Sequence, residues 1–207
     1  MKLLLRFIFL FVVPTSCSVL QPVEDRSINH LLDPAVPDRR LTGSVPAVAV
    51  ARPSLPSYLD RLQLVSRTAG GELQMNPYHV WAEPLDAALS RITAANLGRL
   101  TQSLNIQPVE NFITPDYQWL LELRVSQFET DARGDVVLTC TWKLQPVAGR
   151  VAATHSFTTR VTPEVPAAAK GPQSSRIQAM NESLAQLARS IARSLQDGRQ
   201  GTPLPAE

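Results

Sequence analysis

The chain has 207 residues, with 20 Lys+Arg against 18 Asp+Glu and a formal net charge of +2. So even a balance excludes nucleic-acid binding by phosphate neutralisation and leaves no polybasic patch for an anionic membrane surface. The length suits one domain, and a 44% apolar content permits a sizeable core.

Basic Lys2 and Arg6 accompany a short apolar run, Leu3–Leu5 and Phe7–Val13, which ends at Pro14-Thr15-Ser16-Cys17. This is the pattern of an export signal peptide over residues 1–16. The run is too short for a transmembrane helix, which needs roughly 20 apolar residues. A cysteine directly after small residues resembles a bacterial lipobox, although Pro14 stands where a lipobox favours Leu. In that reading Cys17 is the first mature residue and carries the lipid anchor. Two or more acyl chains hold firmly where one binds only marginally. The alternative is ordinary cleavage near Ser16 with Cys17 a free thiol. Ser18, rather than Asp, follows the cysteine, which predicts the outer membrane and its periplasmic face. Loss of Lys2 and Arg6 brings the 20 basic residues to 18, equal to the acids.

Residues 17–27 read as the lipidated N-terminus and a tether, and ten spacer residues reach roughly 15–20 Å. A short strand is predicted around Ile28–Leu32, and a buried one at Ala47–Val50 between Pro46 and Pro53. The Pro-rich loop Pro53–Arg61 follows. Leu62–Arg67 and Glu72–Met75 flank Gly70-Gly71 as a hairpin. From Pro84 the period becomes helical, with Leu85, Leu89, Ile92, Leu97, Leu100 and Leu104 on one stripe. Three alternating strands come next. Tyr117, Trp119, Leu121, Leu123 and Val125 share a face; after the turn Asp131–Asp135, so do Val136, Leu138, Cys140, Trp142 and Leu144. A second turn at Pro146–Arg150 leads to Val151, Ala153, His155, Phe157, Thr159 and Val161. The last helix carries Ile177, Met180, Leu184, Leu187, Ile191 and Leu195, with Ser174 or Ser175 as its cap. Asp197–Glu207, with Gly198, Gly201, Pro203 and Pro205, reads as a disordered tail. The expected fold is α+β: one domain over residues 28–196, a mostly antiparallel sheet with two main helices on one face.

No catalytic constellation is present in the pattern, and no cofactor or metal is expected. His30, His79 and His155 are scattered, without metal-ligand spacing. No nucleophile elbow, phosphate loop or dinucleotide turn occurs. Asp131 and Asp135 fit turn chemistry, and Glu83 and Asp86 fit a helix N-terminus. Cys140 sits in an apolar alternation as an inert buried thiol. Two features exceed this. The loop with Pro53, Leu55, Pro56, Tyr58, Leu59, Asp60 and Arg61 is stiffened by proline and loses little entropy on docking, so it is a candidate partner-binding surface. The other reading is a loop folded back over the sheet edge. Trp81, before the first helix, is either a docking hot spot or core, and the core reading is preferred.

These segments together resemble the PqiC/YmbA-type lipoproteins, an auxiliary component of some ABC-type lipid transport systems. The resemblance rests on Ile28–Asp33; on Val48-Ala49-Val50 leading into Leu55-Pro56-Ser57-Tyr58-Leu59-Asp60-Arg61; on Leu64–Arg67; on Trp81-Ala82-Glu83-Pro84-Leu85; and on Ser183–Ile191. It covers most of the mature chain in order, and the Leu-Pro-x-Tyr-Leu-Asp-Arg and Trp-Ala-Glu-Pro-Leu segments are its specific part. It implies a non-enzymatic outer-membrane lipoprotein that supports envelope integrity. Its implied partners are a periplasmic MCE-domain protein, which forms a hydrophobic lipid tunnel, and that protein's inner-membrane permease. A homo-oligomer is compatible with a symmetric tunnel, though no residue pattern specifies one. The alternatives are an assembly factor or plug for another outer-membrane machine, and a small-ligand carrier.

Overall fold

The computed structural model of the chain describes residues 25–37, 45–109, 116–148, 153–164 and 172–199. The predicted signal peptide, Cys17 and the predicted tether up to residue 24, residues 149 and 150 of the second turn with 151 and 152 after it, and the predicted tail from residue 200 lie outside them. Among the described residues the elements follow in the order β1 (Ile28–His30), β2 (Val48–Val50), β3 (Gln63–Arg67), β4 (Leu73–Trp81), α1 (Leu85–Thr101), β5 (Ile106–Pro108), β6 (Trp119–Thr130), β7 (Val136–Pro146), β8 (Thr154–Val161) and α2 (Pro172–Arg199). The strands form one eight-stranded sheet.

The α+β class and the single domain hold, but the sheet is mixed rather than mostly antiparallel. β3–β4, β6–β7 and β7–β8 run antiparallel. β1 runs parallel to β4, β2 to β5, and both β2 and β3 to β6. The reason lies in β6. Val48 pairs with Trp119, Ser54 bridges to Arg124 and Ser66 pairs with Thr130, so β2 and β3 lie in line along one flank of the long strand. Between Ser54 and Ser66 the β2–β3 chain advances twice as many residues as β6 does, and the excess leaves the sheet as the loop after Pro53. Proline at 53 and 56 has no N–H to give a ladder, so the break falls where the sequence places it.

One face of the sheet carries the core. Leu121, Leu123 and Val125 of β6, with Val136, Leu138, Cys140, Trp142 and Leu144 of β7, are buried in one cluster with Leu89, Ile92 and Leu97 of α1 and Leu184, Leu187 and Ile191 of α2. The alternation predicted from sequence is what delivers these side chains to one side. Trp142 stacks on His155 with ring centroids 4.2 Å apart. Burial pushes the Cys140 thiol up to about 12, which keeps it protonated and unreactive.

Three boundaries differ from the sequence reading. The α1 stripe extends in sequence to Leu104, but the helix stops at Thr101, where Gln102 turns left-handed (φ 57°) and the Ser103 N–H caps Gly98 O at 2.9 Å. Leu104 is thereby left 69% exposed. A Cβ on Gly98 would stand 3.0 Å from Ser103 O, so glycine permits this close return. At the last helix, Pro172 opens α2. Ser174 and Ser175 therefore lie within its first turns instead of capping it, proline being favoured at a first helical position. The helix also continues through Asp197–Arg199, which the sequence assigns to the tail.

Residues 32–36 form no regular element, yet Leu32 and Val36 are buried. Side chains of the helices take the place of a ladder. Asn96 Oδ1 accepts from Val36 N at 3.1 Å and Asn181 Oδ1 from Asp33 N at 3.0 Å. Arg91 donates to Leu32 O, and Arg99 to Pro34 O and Val36 O. Among the described residues no helix is long and apolar enough to cross a membrane.

Candidate functional site

The Pro53–Arg61 loop is held against β3 and β6 by a carboxylate. In β6 the buried apolar residues keep odd numbers up to Val125, and the next one, Phe128, is even. A β-bulge between Val125 and Gln127 makes the switch. Bulges re-aim side chains, and this one turns Glu129 away from the helices. Glu129 is fully buried there. Its Oε2 accepts from Tyr58 Oη at 2.9 Å and from Phe128 N at 3.1 Å. Its Oε1 accepts from Arg67 Nε at 2.9 Å and from Gln127 Nε2 at 3.1 Å. Tyr58 Oη also reaches Ser126 O at 3.2 Å, and the Arg67 guanidinium lies over the Tyr58 ring, 5.7 Å from its centroid.

A buried carboxylate survives only where donors replace water, and four do so here. Burial pushes the Tyr58 phenol up to about 12, with the hydrogen bond and charge of Glu129 adding to it against the opposing effect of Arg67. The hydrogen bond to Glu129 raises Arg67 in turn. The loop is therefore a fixed surface tied to β3 and β6.

Its residues divide. Pro53 and Leu59 are buried, Leu59 being only 2% exposed. Leu55 and Tyr58 are half-buried against the core. Ser57 and Asp60 face solvent, with Pro56 and Arg61 partly accessible beside them. Arg61 lies against Met75 Sδ, and its Nε is buried without a hydrogen-bond partner. The neighbouring Leu62 is 51% exposed. Trp81 belongs to the core, as the preferred reading had it. The sequence reading missed Glu129 and Arg67 as partners of the loop. The signal was the phase change across Ser126-Gln127-Phe128, where a strict alternation fails.

Away from the loop, His30 Nε2 lies 2.7 Å from His79 Nδ1 across the β1–β4 pair, with the rings stacked. Burial, and then the neighbouring His79, lower the His30 pKa. Among the described residues no three His, Cys, Asp or Glu side chains come together to hold a metal.

The geometry defines a two-layer α+β domain with a clamped loop. The family model described as "ABC-type transport auxiliary lipoprotein component" matches residues 30–192, and the chain belongs to that family. Membership makes it an auxiliary component of ABC-type transport and associates it with a membrane as a lipoprotein. Among solved structures, protein XCC0632 from Xanthomonas campestris is 18% identical with a TM-score of 0.65, covering 84% of this chain and 98% of its own. A crystal structure described only as an uncharacterized protein is 20% identical with a TM-score of 0.61, covering 76% and 96%. At these identities both speak for the fold alone. No curated protein matches the chain.

Proposed function

We propose that this protein is an outer-membrane lipoprotein that docks the outer end of an MCE-type lipid transport complex, anchored through Cys17 and engaging its partner with the Pro53–Arg61 loop. The observation that carries the reading is the Tyr58–Glu129–Arg67 clamp, which fixes the loop before any partner arrives. A preformed surface forfeits little entropy on binding. The contact surface is Pro56, Ser57, Asp60, Arg61 and Leu62. Pro53, Leu55, Tyr58, Leu59 and Trp81 shape it from beneath. Family membership supports the transport role, and no catalytic step enters it. Anchoring many copies near a symmetric tunnel raises their effective concentration, so weak single contacts suffice.

The test is mild crosslinking of whole envelopes followed by capture on a C-terminal tag and mass spectrometry. Recovery of an MCE-domain protein with its permease is the expected result. Recovery of an outer-membrane barrel instead would favour the assembly-factor reading.

A further inference from the structure

A second surface lies between the edge strand β8 and helix α2. A groove of about 280 Å³ is lined there by Phe157, Thr158, Thr159, Gln186, Arg189, Ser190 and Arg193. The four helical residues stand at i, i+3, i+4 and i+7, so they form one stripe along α2. Phe157 and Thr159 alternate on β8 toward the same side. Phe157 is half-buried against the core and gives the groove an apolar floor.

The polar groups are not equally engaged. Thr159 Oγ1 donates to Gln186 Oε1, and Gln186 Nε2 reaches Glu182 Oε1 at 3.4 Å, which ties strand to helix. Arg189 Nη1 donates to Glu182 Oε1 at 2.8 Å. A guanidinium has five N–H donors, so this bond orients Arg189 without saturating it. Arg193 is exposed and has no acidic partner among the described residues. Two guanidiniums one turn apart, a hydroxyl between them and an aromatic floor make a recognisable combination. Planar forks with several donors bind phosphate oxygens, and the ring suits the carbon skeleton attached to them.

We infer that the β8–α2 groove binds a phosphate-bearing headgroup, with Arg189, Ser190 and Arg193 on the phosphate and Phe157 beneath the adjoining carbon chain. The choice of a phospholipid as its source rests on the transport reading above; the phosphate chemistry does not.

The experiment is a titration of the exported chain carrying Cys17→Ala, so that no acyl group of its own competes, followed through arginine Nε and backbone amide resonances. Three probes are used: inorganic phosphate, dihexanoylphosphatidylglycerol, and hexyl glucoside, which has the chain and no phosphate. Saturable shifts confined to β8 and α2 with the phospholipid, weakened at least about tenfold in Arg189→Gln/Arg193→Gln, are the expected result. Equal response to inorganic phosphate keeps the site and makes free phosphate its ligand. Response to hexyl glucoside as strong as to the phospholipid overturns the inference, as does no response to any probe or one indifferent to the arginines. Arg193→Glu alone, at an exposed position, serves if the double variant folds poorly. Partner capture by the same variants is scored separately, so loss of the groove with capture intact is told apart from failure of the docking reading.

Discussion

A carboxylate withdrawn from water must be compensated by donors, and Glu129 shows what that does for one loop. Tyr58→Phe removes a single hydroxyl donor and leaves the carboxylate buried with one fewer partner. Such a loss costs about 1–3 kcal/mol. Urea denaturation should show it, and a loss below ~0.5 kcal/mol would mean that water already satisfies Glu129. The phenol gives an independent reading. Its folded value of about 12 lies above the ordinary 10, so the folded state holds this proton more tightly. Its contribution to stability is complete below pH 10 and is lost as pH rises toward 12. Absorbance near 295 nm should show a tyrosine titrating near pH 12 that vanishes in Tyr58→Phe; loss of no such component would contradict the clamp. His30 works in the other direction. Its pKa is lowered by burial and by His79, so its contribution is present above about pH 6.5, the ordinary histidine value, and falls away as the medium acidifies. Protection factors of the β1 amides, which allow for the slower intrinsic exchange in acid, should be lower at pH 5 than at pH 7, and His30→Asn should flatten that dependence. Neither the clamp nor the histidine pair was legible in sequence, because each joins residues far apart in the chain: Tyr58 to Glu129, and His30 to His79.

At the scale of elements, packing follows pattern where a period is strict. Leu187 sits at 1% exposure on the α2 stripe, and Leu187→Ala should cost ~2–5 kcal/mol by calorimetry or denaturant. The β6–β7–β8 meander, the Gly70-Gly71 hairpin and both helices were readable from such periods. What escaped was every feature that depends on long-range pairing. Short β2 and β5 carry no mark of direction, so their parallel partners could not be inferred. Asn96 on the apolar stripe of α1, like Asn181 on that of α2, was a local sign that an irregular segment needed a hydrogen-bond acceptor there. Asn96→Ala should release Val36 N, accelerating its exchange and lowering stability by about 1–3 kcal/mol. Unchanged exchange at Val36 would show that this segment is held by packing alone. The end of α1 was likewise hidden, because Leu104 continues the apolar period while Gly98 lets the chain turn at Gln102, two residues before it.

For the whole molecule, the account joins a predicted anchor at Cys17 to a domain whose docking loop is set before binding. The first half is checked by radiolabelled palmitate in cells producing wild type or Cys17→Ala: label on the former and none on the latter is expected, and an unlabelled wild type would remove the anchor. The second half rests on which loop atoms are free. Asp60 faces solvent, and Arg61 is partly accessible beside it. The clamp residues beneath them stay intact if only these two are changed. The most direct measurement is therefore capture of the MCE-domain partner by Asp60→Ala/Arg61→Ala alongside its thermal unfolding. The account predicts capture reduced at least about tenfold, as expected for a contact worth 1.4 kcal/mol or more, with the melting temperature within a few degrees of wild type. Undiminished capture by that stable variant would contradict it.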